Sequence, residues 1–157
     1  MKWLGVDIAK RKFDLAVLDN GKIRRKVFDN TPAGYDALLA WLAARGYAHE
    51  ELHVCMEATS SYYEKLATFL HDAGIRVSVV NPLQIKAFGE SLLSRQKTDR
   101  ADAALIARFA EQHSPMLWRP APREIRELQR LLARLEAVQQ MSVQEQNRQH
   151  EAEGESL

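Results

Sequence analysis

The sequence predicts an α/β fold, namely a mixed five-stranded sheet flanked by helices and followed by a long C-terminal helix. Three observations predict it. Short stretches rich in apolar and β-branched residues recur through the first 80 residues, as is typical of strands. The first three are joined by turns and should pair antiparallel. Helical patterns separate the later ones, which should therefore pair in parallel.

The first three predicted strands form two consecutive hairpins. They cover residues 2–8, 13–19 and 22–29. Asn20-Gly21 joins the second strand to the third, because this dipeptide readily adopts the two positive φ angles of a type I′ turn. In the second strand, Phe13, Leu15 and Val17 recur at every other position, which predicts one buried face.

Capping residues place the next elements. Thr31 is the predicted N-cap of a first helix, with Pro32 at the first helical position and Gly46 as the stop signal. Ser61 to Glu64 forms a capping-box pattern, which predicts a second helix that ends at Gly74. The remaining predicted elements are strands at 52–56 and 75–80 and helices at about 82–93 and 98–113.

The chain is expected to contain one α/β domain and one extended helix. Residues 1–113 form the domain, residues 114–122 form a connector with three prolines, and residues 123–157 form a long helix with a frayed end. Two faces of this helix carry a pattern. One is a coiled-coil seam at 3-4-3 spacing, and the other is an arginine stripe. The seam is Ile125, Leu128, Leu132 and Leu135, and the stripe is Arg123, Arg126, Arg130 and Arg134.

Composition narrows the class of protein. The 157 residues are 46% hydrophobic and 27% charged, which is typical of a soluble globular protein, and the net charge of +1 does not indicate a nucleic-acid partner by itself. A single cysteine, Cys55, excludes an internal disulfide and a multi-thiolate zinc site. The sequence has no signal-peptide pattern and no membrane-length apolar stretch, so we expect a cytoplasmic protein without a membrane partner.

Four acidic residues are candidates for a metal site. Asp7 and Glu57 each end an apolar strand, and ligand sites of α/β sheets cluster at the carboxyl ends of strands. Asp99 and Asp102 are predicted to share one helical turn, where like charges repel unless a cation lies between them. Each acid alone has an ordinary explanation as a turn cap or a helix-start residue. Together, four carboxylates can hold two Mg²⁺ (or Mn²⁺) ions roughly 3.5–4 Å apart, as phosphodiester transfer requires.

Basic and aromatic residues surround these acids. Lys10, Arg11 and Lys12 follow Asp7, while Arg95, Lys97 and Arg100 flank Asp99. They are either cations that keep loops soluble or contacts to phosphate groups. Tyr62 and Tyr63 are either core residues or base-stacking residues, with the core interpretation favoured. The five histidines have no ligand spacing and are expected to be structural or on the surface.

Four segments carry a resemblance to a known family. In order they are "GVDIAKRKFDLAVLD", "MEATSSYYEKL", "VVNPLQIKAF" and "KTDRADAALIARF". They resemble the N-terminal catalytic domain of the DEDD insertion-sequence transposases, a group that includes Piv-type DNA invertases and bridge-RNA-guided recombinases. The resemblance covers about residues 1–145 and implies a ribonuclease-H-like fold of the RuvC type. The catalytic and metal-ligating acids that it implies are Asp7, Glu57, Asp99 and Asp102.

The resemblance also implies an activity and partners. They are DNA strand cleavage and exchange with Mg²⁺, a structured guide RNA, and association of protomers through the long helix. There are two departures from the family pattern. Ser60-Ser61 replaces a Gly-Gly found in many members, a change that the loop is expected to tolerate. Members also carry a second domain with a serine nucleophile, which this sequence lacks, so we expect it to bind metal and nucleic acid without completing recombination.

Three other functions stay open from the sequence. A stand-alone nuclease resembling Holliday-junction resolvases would share the fold and would cleave branched DNA by itself. A truncated, non-catalytic fragment would bind RNA or dimerise through the arginine stripe and the seam. An actin-like sugar or acetate kinase also begins with a strand-end Asp, but the seven glycines form no phosphate loop, which disfavours it.

Overall fold

The computed structural model describes residues 1–92 and 102–155 of the chain. It contains two compact units, Met1–Pro120 and Ala121–Leu157. The strands are β1 (Lys2–Ile8), β2 (Lys12–Asp19), β3 (Lys22–Asp29), β4 (Leu52–Glu57) and β5 (Arg76–Val80). The α-helices are α1 (Pro32–Ala44), α2 (Glu64–Asp72), α3 (Pro82–Ser91), α4 (Ala103–His113) and α5 (Arg123–Glu155). Short 3₁₀ turns cover His49–Glu51 and Ser61–Tyr63.

One mixed sheet forms the centre of the first unit. Its strand order is β3-β2-β1-β4-β5. The pairs β1–β2 and β2–β3 are antiparallel, and the pairs β1–β4 and β4–β5 are parallel. Asn20 and Gly21 have φ angles of 49° and 79° at the predicted hairpin turn. The predicted five-stranded sheet is confirmed, and its order and strand directions agree with a ribonuclease-H-like fold.

Helices cover both faces of the sheet. Helices α1 and α2 pack on the face that carries Leu4, Val6 and Leu15, all of which are buried. Helices α3 and α4 contribute the core on the opposite face, where Cys55 lies against apolar side chains of both helices. Because side chains alternate along a strand, Gly5 and Asp7 of β1 share this second face. We call this side of the sheet the α4 face.

A glycine allows α4 to lie directly on the central strand. A Cβ atom at Gly5 would overlap the carbonyl oxygen of Ala103 and would lie 2.5 Å from the backbone nitrogen of Ala107. The neighbouring Ala16 on β2 is buried against Ala103 and Ala104. Small residues on both partners therefore bring the first turn of α4 down onto β1, close to the strand end that carries Asp7.

The helix starts agree with the sequence in one case and differ in two. Thr31 caps α1 as predicted, since its hydroxyl accepts a 3.1 Å hydrogen bond from the Gly34 N–H. The predicted capping box at Ser61 is wrong: Ser60 caps the 3₁₀ turn, and α2 begins only at Glu64. The placement of Asp102 within a helical turn is also wrong, because Asp102 is the N-cap of α4 with an extended backbone.

The second unit consists of α5, which is longer than expected. The helix continues through Glu155, into the segment after residue 150 for which the sequence predicts fraying. Helix-forming Glu, Gln and Ala residues dominate this part, and Arg148 pairs with Glu145 at 3.5 Å. The side chains of α5 are exposed throughout its described length, including the whole leucine seam.

Candidate metal centre at the strand ends

The carboxyl ends of β1 and β4 bring two acids together. In the parallel pair, Val6 lies opposite Met56, so the next residues along the strands, Asp7 and Glu57, are neighbours. Both point to the α4 face, because Gly5 and Cys55 two positions earlier point there. The sequence placed both acids at strand ends, and the sheet order now makes those two ends adjacent.

Glu57 is unusual for an acid because it is buried. The residue is only 8% exposed, and among the residues that the structure describes its Oε1 atom has no hydrogen-bond partner. Burial raises the pKa of Glu57 above its usual value, and the charge of Asp7 raises that pKa further. A buried carboxylate oxygen without a donor is costly unless a cation or proton reaches it. The site therefore favours a positive partner at this point.

Asp102 lies on the same face of the sheet, at the start of α4. Its Oδ1 atom accepts a 2.7 Å hydrogen bond from the Leu105 N–H, and its Oδ2 atom lies 3.8 Å from the Arg25 Nη1 atom. Half of the Asp102 side chain is exposed, so the ion pair with Arg25 is open to solvent. The cap fixes the orientation of the carboxylate, and the second oxygen remains accessible to a stronger cation.

The fourth predicted acid, Asp99, lies outside the described residues, as do Arg95, Lys97 and Arg100. Within residues 1–92 and 102–155, no group of three or more His, Cys, Asp or Glu side chains is arranged to hold a metal ion. The described part of the chain thus supplies an adjacent pair, Asp7 and Glu57. Carboxylate donors of this kind, with one orphaned oxygen, fit the chemistry of Mg²⁺.

Sequence reasoning missed a third acid in this row. Asp14 on β2 lies directly opposite Asp7 in the antiparallel pair, so the two side chains share the α4 face. Like charges directly opposite each other destabilise a sheet. The signal was present in the sequence, because the alternation of Phe13, Leu15 and Val17 leaves Asp14 on the other face. It could not be used until the hairpin register was known.

The three cations that follow Asp7 lie on the turn between β1 and β2. Lys10, Arg11 and Lys12 are all exposed. In the β2–β3 pair, Lys12 lies opposite Asp29, whereas Lys10 and Arg11 occupy the turn itself. The arginine stripe of α5 is likewise exposed, and within it Arg123 pairs with Glu127 at 3.2 Å.

The remaining candidates divide into core and surface residues. Tyr63 packs against the main core, as expected, whereas Tyr62 is 42% exposed. Cys55 is a buried core residue, and burial together with the charge of Glu57 raises its pKa to about 12. His53 is structural: its ring stacks on Trp3, and its Nε2 atom hydrogen-bonds to Ser78 Oγ at 2.7 Å.

Comparison with known proteins identifies the family. Residues 4–152 match the sequence profile of DEDD-type insertion-sequence transposases. The chain belongs to the DEDD transposase family. This agrees with the resemblance seen in the four sequence segments.

Two curated relatives support this membership. The chain is 37% identical over 147 residues to the pilin gene-inverting proteins of Moraxella lacunata and Moraxella bovis. The match covers 94% of this transposase-family chain but 46% of each relative, so the chain spans about half the length of the relatives.

Two further findings are more limited. A solved structure of YeaZ from Pseudomonas aeruginosa aligns with a TM-score of 0.41 and 16% identity, over 58% of this chain and 48% of that one. Over the residues that the structure describes, there is no helix long and apolar enough to cross a membrane.

Proposed function

We propose that this chain is the metal-binding catalytic portion of a DNA recombinase, in which Asp7, Glu57, Asp99 and Asp102 hold Mg²⁺ or Mn²⁺ for DNA strand cleavage and exchange. Family membership supports the reaction class, since the relatives are named for gene inversion. The observation that carries the metal site is the buried, orphaned Oε1 atom of Glu57 beside Asp7.

The chemistry assigned to the chain follows from its donors. Bound divalent cations stabilise the attacking and leaving oxygens of phosphodiester transfer. Asp7 and Glu57 sit on strands that are hydrogen-bonded to each other, so their backbones cannot separate without breaking the sheet. Asp102 is held by its own helix cap and approaches from α4. The three acids thus come from rigid elements, which is how a precise metal site is built.

The DNA is proposed to approach from the exposed rim of the sheet. Lys10 and Arg11, with Arg25 on the edge strand, carry positive charge near the acids and suit contacts to phosphate groups. Arg95, Lys97 and Arg100 are proposed to contribute from the segment before α4. The guide RNA that the family resemblance implies is proposed to contact the arginine stripe of α5, Arg123, Arg126, Arg130 and Arg134.

Association of protomers is proposed to occur through α5. Ile125, Leu128 and Leu132 are 44–52% exposed along one helix face, an arrangement that suits a second copy of the same helix. We propose 1–113 as the catalytic domain, 114–122 as the connector and 123–157 as the association helix. This portion by itself is proposed to bind metal and DNA.

The test is calorimetric titration of Mn²⁺ and Mg²⁺ into the chain and into two variants, Glu57→Gln and Asp7→Asn. Each variant removes one anionic donor while keeping the shape of the side chain. We expect at least a tenfold loss of affinity in both, because each variant removes one anionic donor that the paired strands hold in place.

The control is Asp36→Asn, which removes the same charge from the exposed side of α1, on the opposite face of the sheet. Its affinity for Mn²⁺ should equal that of the parent. If all three variants bind as the parent does, the acids are not ligands and the proposal is wrong. Cleavage of branched DNA by the chain alone would instead support the stand-alone nuclease function.

A further inference from the structure

The loop that follows Glu57 is joined to the turn that follows Asp7 by one side chain, Asn30. The Nδ2 atom of Asn30 donates to the carbonyl oxygens of Ala9 at 3.0 Å, Lys10 at 3.5 Å and Tyr62 at 3.4 Å. The Asn30 backbone N–H donates to the Arg11 carbonyl at 2.8 Å. The Tyr62 and Lys10 backbones therefore both lie within hydrogen-bond reach of one nitrogen atom.

Asn30 is itself fixed by its surroundings. Its Oδ1 atom accepts a hydrogen bond from the hydroxyl of Tyr35, a core residue of α1 that is 3% exposed. The amide cannot rotate without losing this bond, so its two donor hydrogens remain directed at the two loops. Nothing in the sequence singles out Asn30, which stands directly before Thr31, the predicted N-cap of α1.

The loop after Glu57 is also held in a strained conformation. Ser60 has φ 89° and ψ −176°, a region that is essentially restricted to glycine, and its hydroxyl accepts from the Tyr62 N–H at 3.4 Å. Such strain persists only where the surrounding structure enforces it. In the same loop Tyr63 packs against the core, whereas Tyr62 is 42% exposed.

We propose that Tyr62, Lys10 and Arg11 form a binding platform for single-stranded DNA beside the strand-end acids, with Asn30 as the residue that positions it. This proposal rests on the proposed function, because it names the form of DNA that reaches the site. A base stacks on the exposed ring of Tyr62, and the cations of the turn contact the adjacent phosphates.

The chemistry favours a single strand over a duplex. A tyrosine ring can stack only on a base whose face is free, and paired bases in a duplex are already covered by their neighbours. The loop from Ala58 to Tyr63 has no charged residue. The turn supplies two cations, Lys10 and Arg11, that form no ion pair within residues 1–92 and 102–155. The platform thus has an aromatic part and a cationic part whose backbones are held together by Asn30.

The first experiment measures binding of a labelled mixed-sequence DNA strand by fluorescence anisotropy, at low salt and with EDTA so that no metal ion bridges the acids and the DNA. The same sequence is tested as a duplex and as RNA. Tyr62→Ala should weaken binding of the DNA strand about 5- to 150-fold, the range for loss of one stacked base. Tyr62→Phe should bind as the parent does, and duplex binding should not change.

Charge is tested with a matched pair of variants. Arg11→Gln should weaken binding and reduce its salt dependence, because one phosphate contact is lost. Lys22→Gln removes the same charge at the opposite end of the hairpin and should leave binding unchanged. Equal effects of the two variants would indicate only a general charge effect and would overturn the assignment of Arg11.

The role of Asn30 is tested with a variant of the same shape. Asn30→Asp replaces the Nδ2 donors with an oxygen that faces three carbonyl groups, so the loops should separate and binding should fall. If Asn30 acts through Tyr62, the double variant with Tyr62→Ala should bind no worse than Tyr62→Ala alone. Tyr35→Phe removes the bond that orients the Asn30 amide but keeps its donors, so binding should fall less than in Asn30→Asp. Thermal melts ensure that every variant is measured while folded.

The results separate this proposal from the one on which it rests. Binding by the parent with no loss in Tyr62→Ala overturns the platform alone. Equal losses on strand and duplex, or tighter Tyr62-dependent binding of RNA, overturn the assignment to single-stranded DNA. No binding of any nucleic acid overturns both the platform and the DNA-binding part of the proposed function, while the metal titration still tests the acids.

Discussion

The acids at the two ends of the central sheet differ in hydrogen bonding and in the direction of their pKa shifts. At the amino end of β1, Asp19 accepts hydrogen bonds from Lys2 at 2.9 Å and from Tyr47 at 3.1 Å. The bond from Lys2 lowers the pKa of Asp19. At the carboxyl end, Glu57 is buried with an orphaned oxygen, and its burial raises its pKa. Asp19 therefore has two hydrogen-bond donors, whereas the Oε1 atom of Glu57 has none among the described residues.

The same contrast holds for the backbone. The hairpin at the amino end places Asn20 and Gly21 at positive φ, and these are residues that accept that conformation with little strain. At the carboxyl end, Ser60 adopts a conformation suited to glycine. Strain and unsatisfied charge thus coincide at one end of the sheet, which is the pattern expected where a ligand supplies the missing interactions.

The largest expected effect on stability comes from a substitution that pushes α4 away from the sheet. Gly5→Ala should lower the free energy of unfolding by about 3 kcal/mol, because the new methyl group meets backbone atoms that cannot move aside. Urea denaturation measures this. Gly154→Ala, where an added Cβ meets open space, should instead raise stability slightly through helix propensity. Equal behaviour of the two variants would contradict the close approach of α4.

The next effect concerns the buried acid. Without metal, Glu57→Gln should raise the free energy of unfolding at pH 8 by about 1 kcal/mol, because it removes the charge that burial disfavours. Folding raises the pKa of Glu57, so its contribution to stability is fully present below pH 4.5 and is lost as pH rises through the folded pKa. The variant should therefore be less sensitive to pH in this window, as urea melts in EDTA would show.

The strained loop gives a similar or smaller effect. Ser60→Gly should stabilise the protein by about 1 kcal/mol, since glycine adopts the observed φ and ψ without a Cβ penalty. Thermal unfolding monitored by circular dichroism measures the change. A loss of stability on Ser60→Gly would mean that the Ser60 hydroxyl contributes more than the strain removes.

The smallest effect on stability is expected at the amino end of β1, where Asp19 accepts its two hydrogen bonds. Asp19→Asn should lower stability near pH 7, because the charged hydrogen bond from Lys2 is weakened. Folding lowers the pKa of Asp19, so this stability is present above its ordinary pKa of 3.8 and is lost as pH falls through the lowered value. The sign is opposite to that of Glu57→Gln. If both variants shifted stability in the same direction, the contrast between the two ends would not hold.

The sequence by itself determined the order of strands and helices, the Asn20-Gly21 turn and the Thr31 cap, because these depend on local backbone preferences and on apolar spacing. It also identified Asp7 and Glu57 as strand-end acids. It misjudged local features where a side chain competes with the helix, as when Asp102 caps α4 instead of entering it.

Only the tertiary structure decided which residues distant in the sequence lie next to each other. Strand pairing made Asp7 and Glu57 neighbours and added Asp14, and Gly5 let α4 pack on the same face. Asn30 joined two loops through Lys10 and Tyr62, which are 52 residues apart in the chain. The physical reason is that burial and electrostatic coupling depend on distances through space. These are fixed by packing and register, which no local pattern in the sequence specifies.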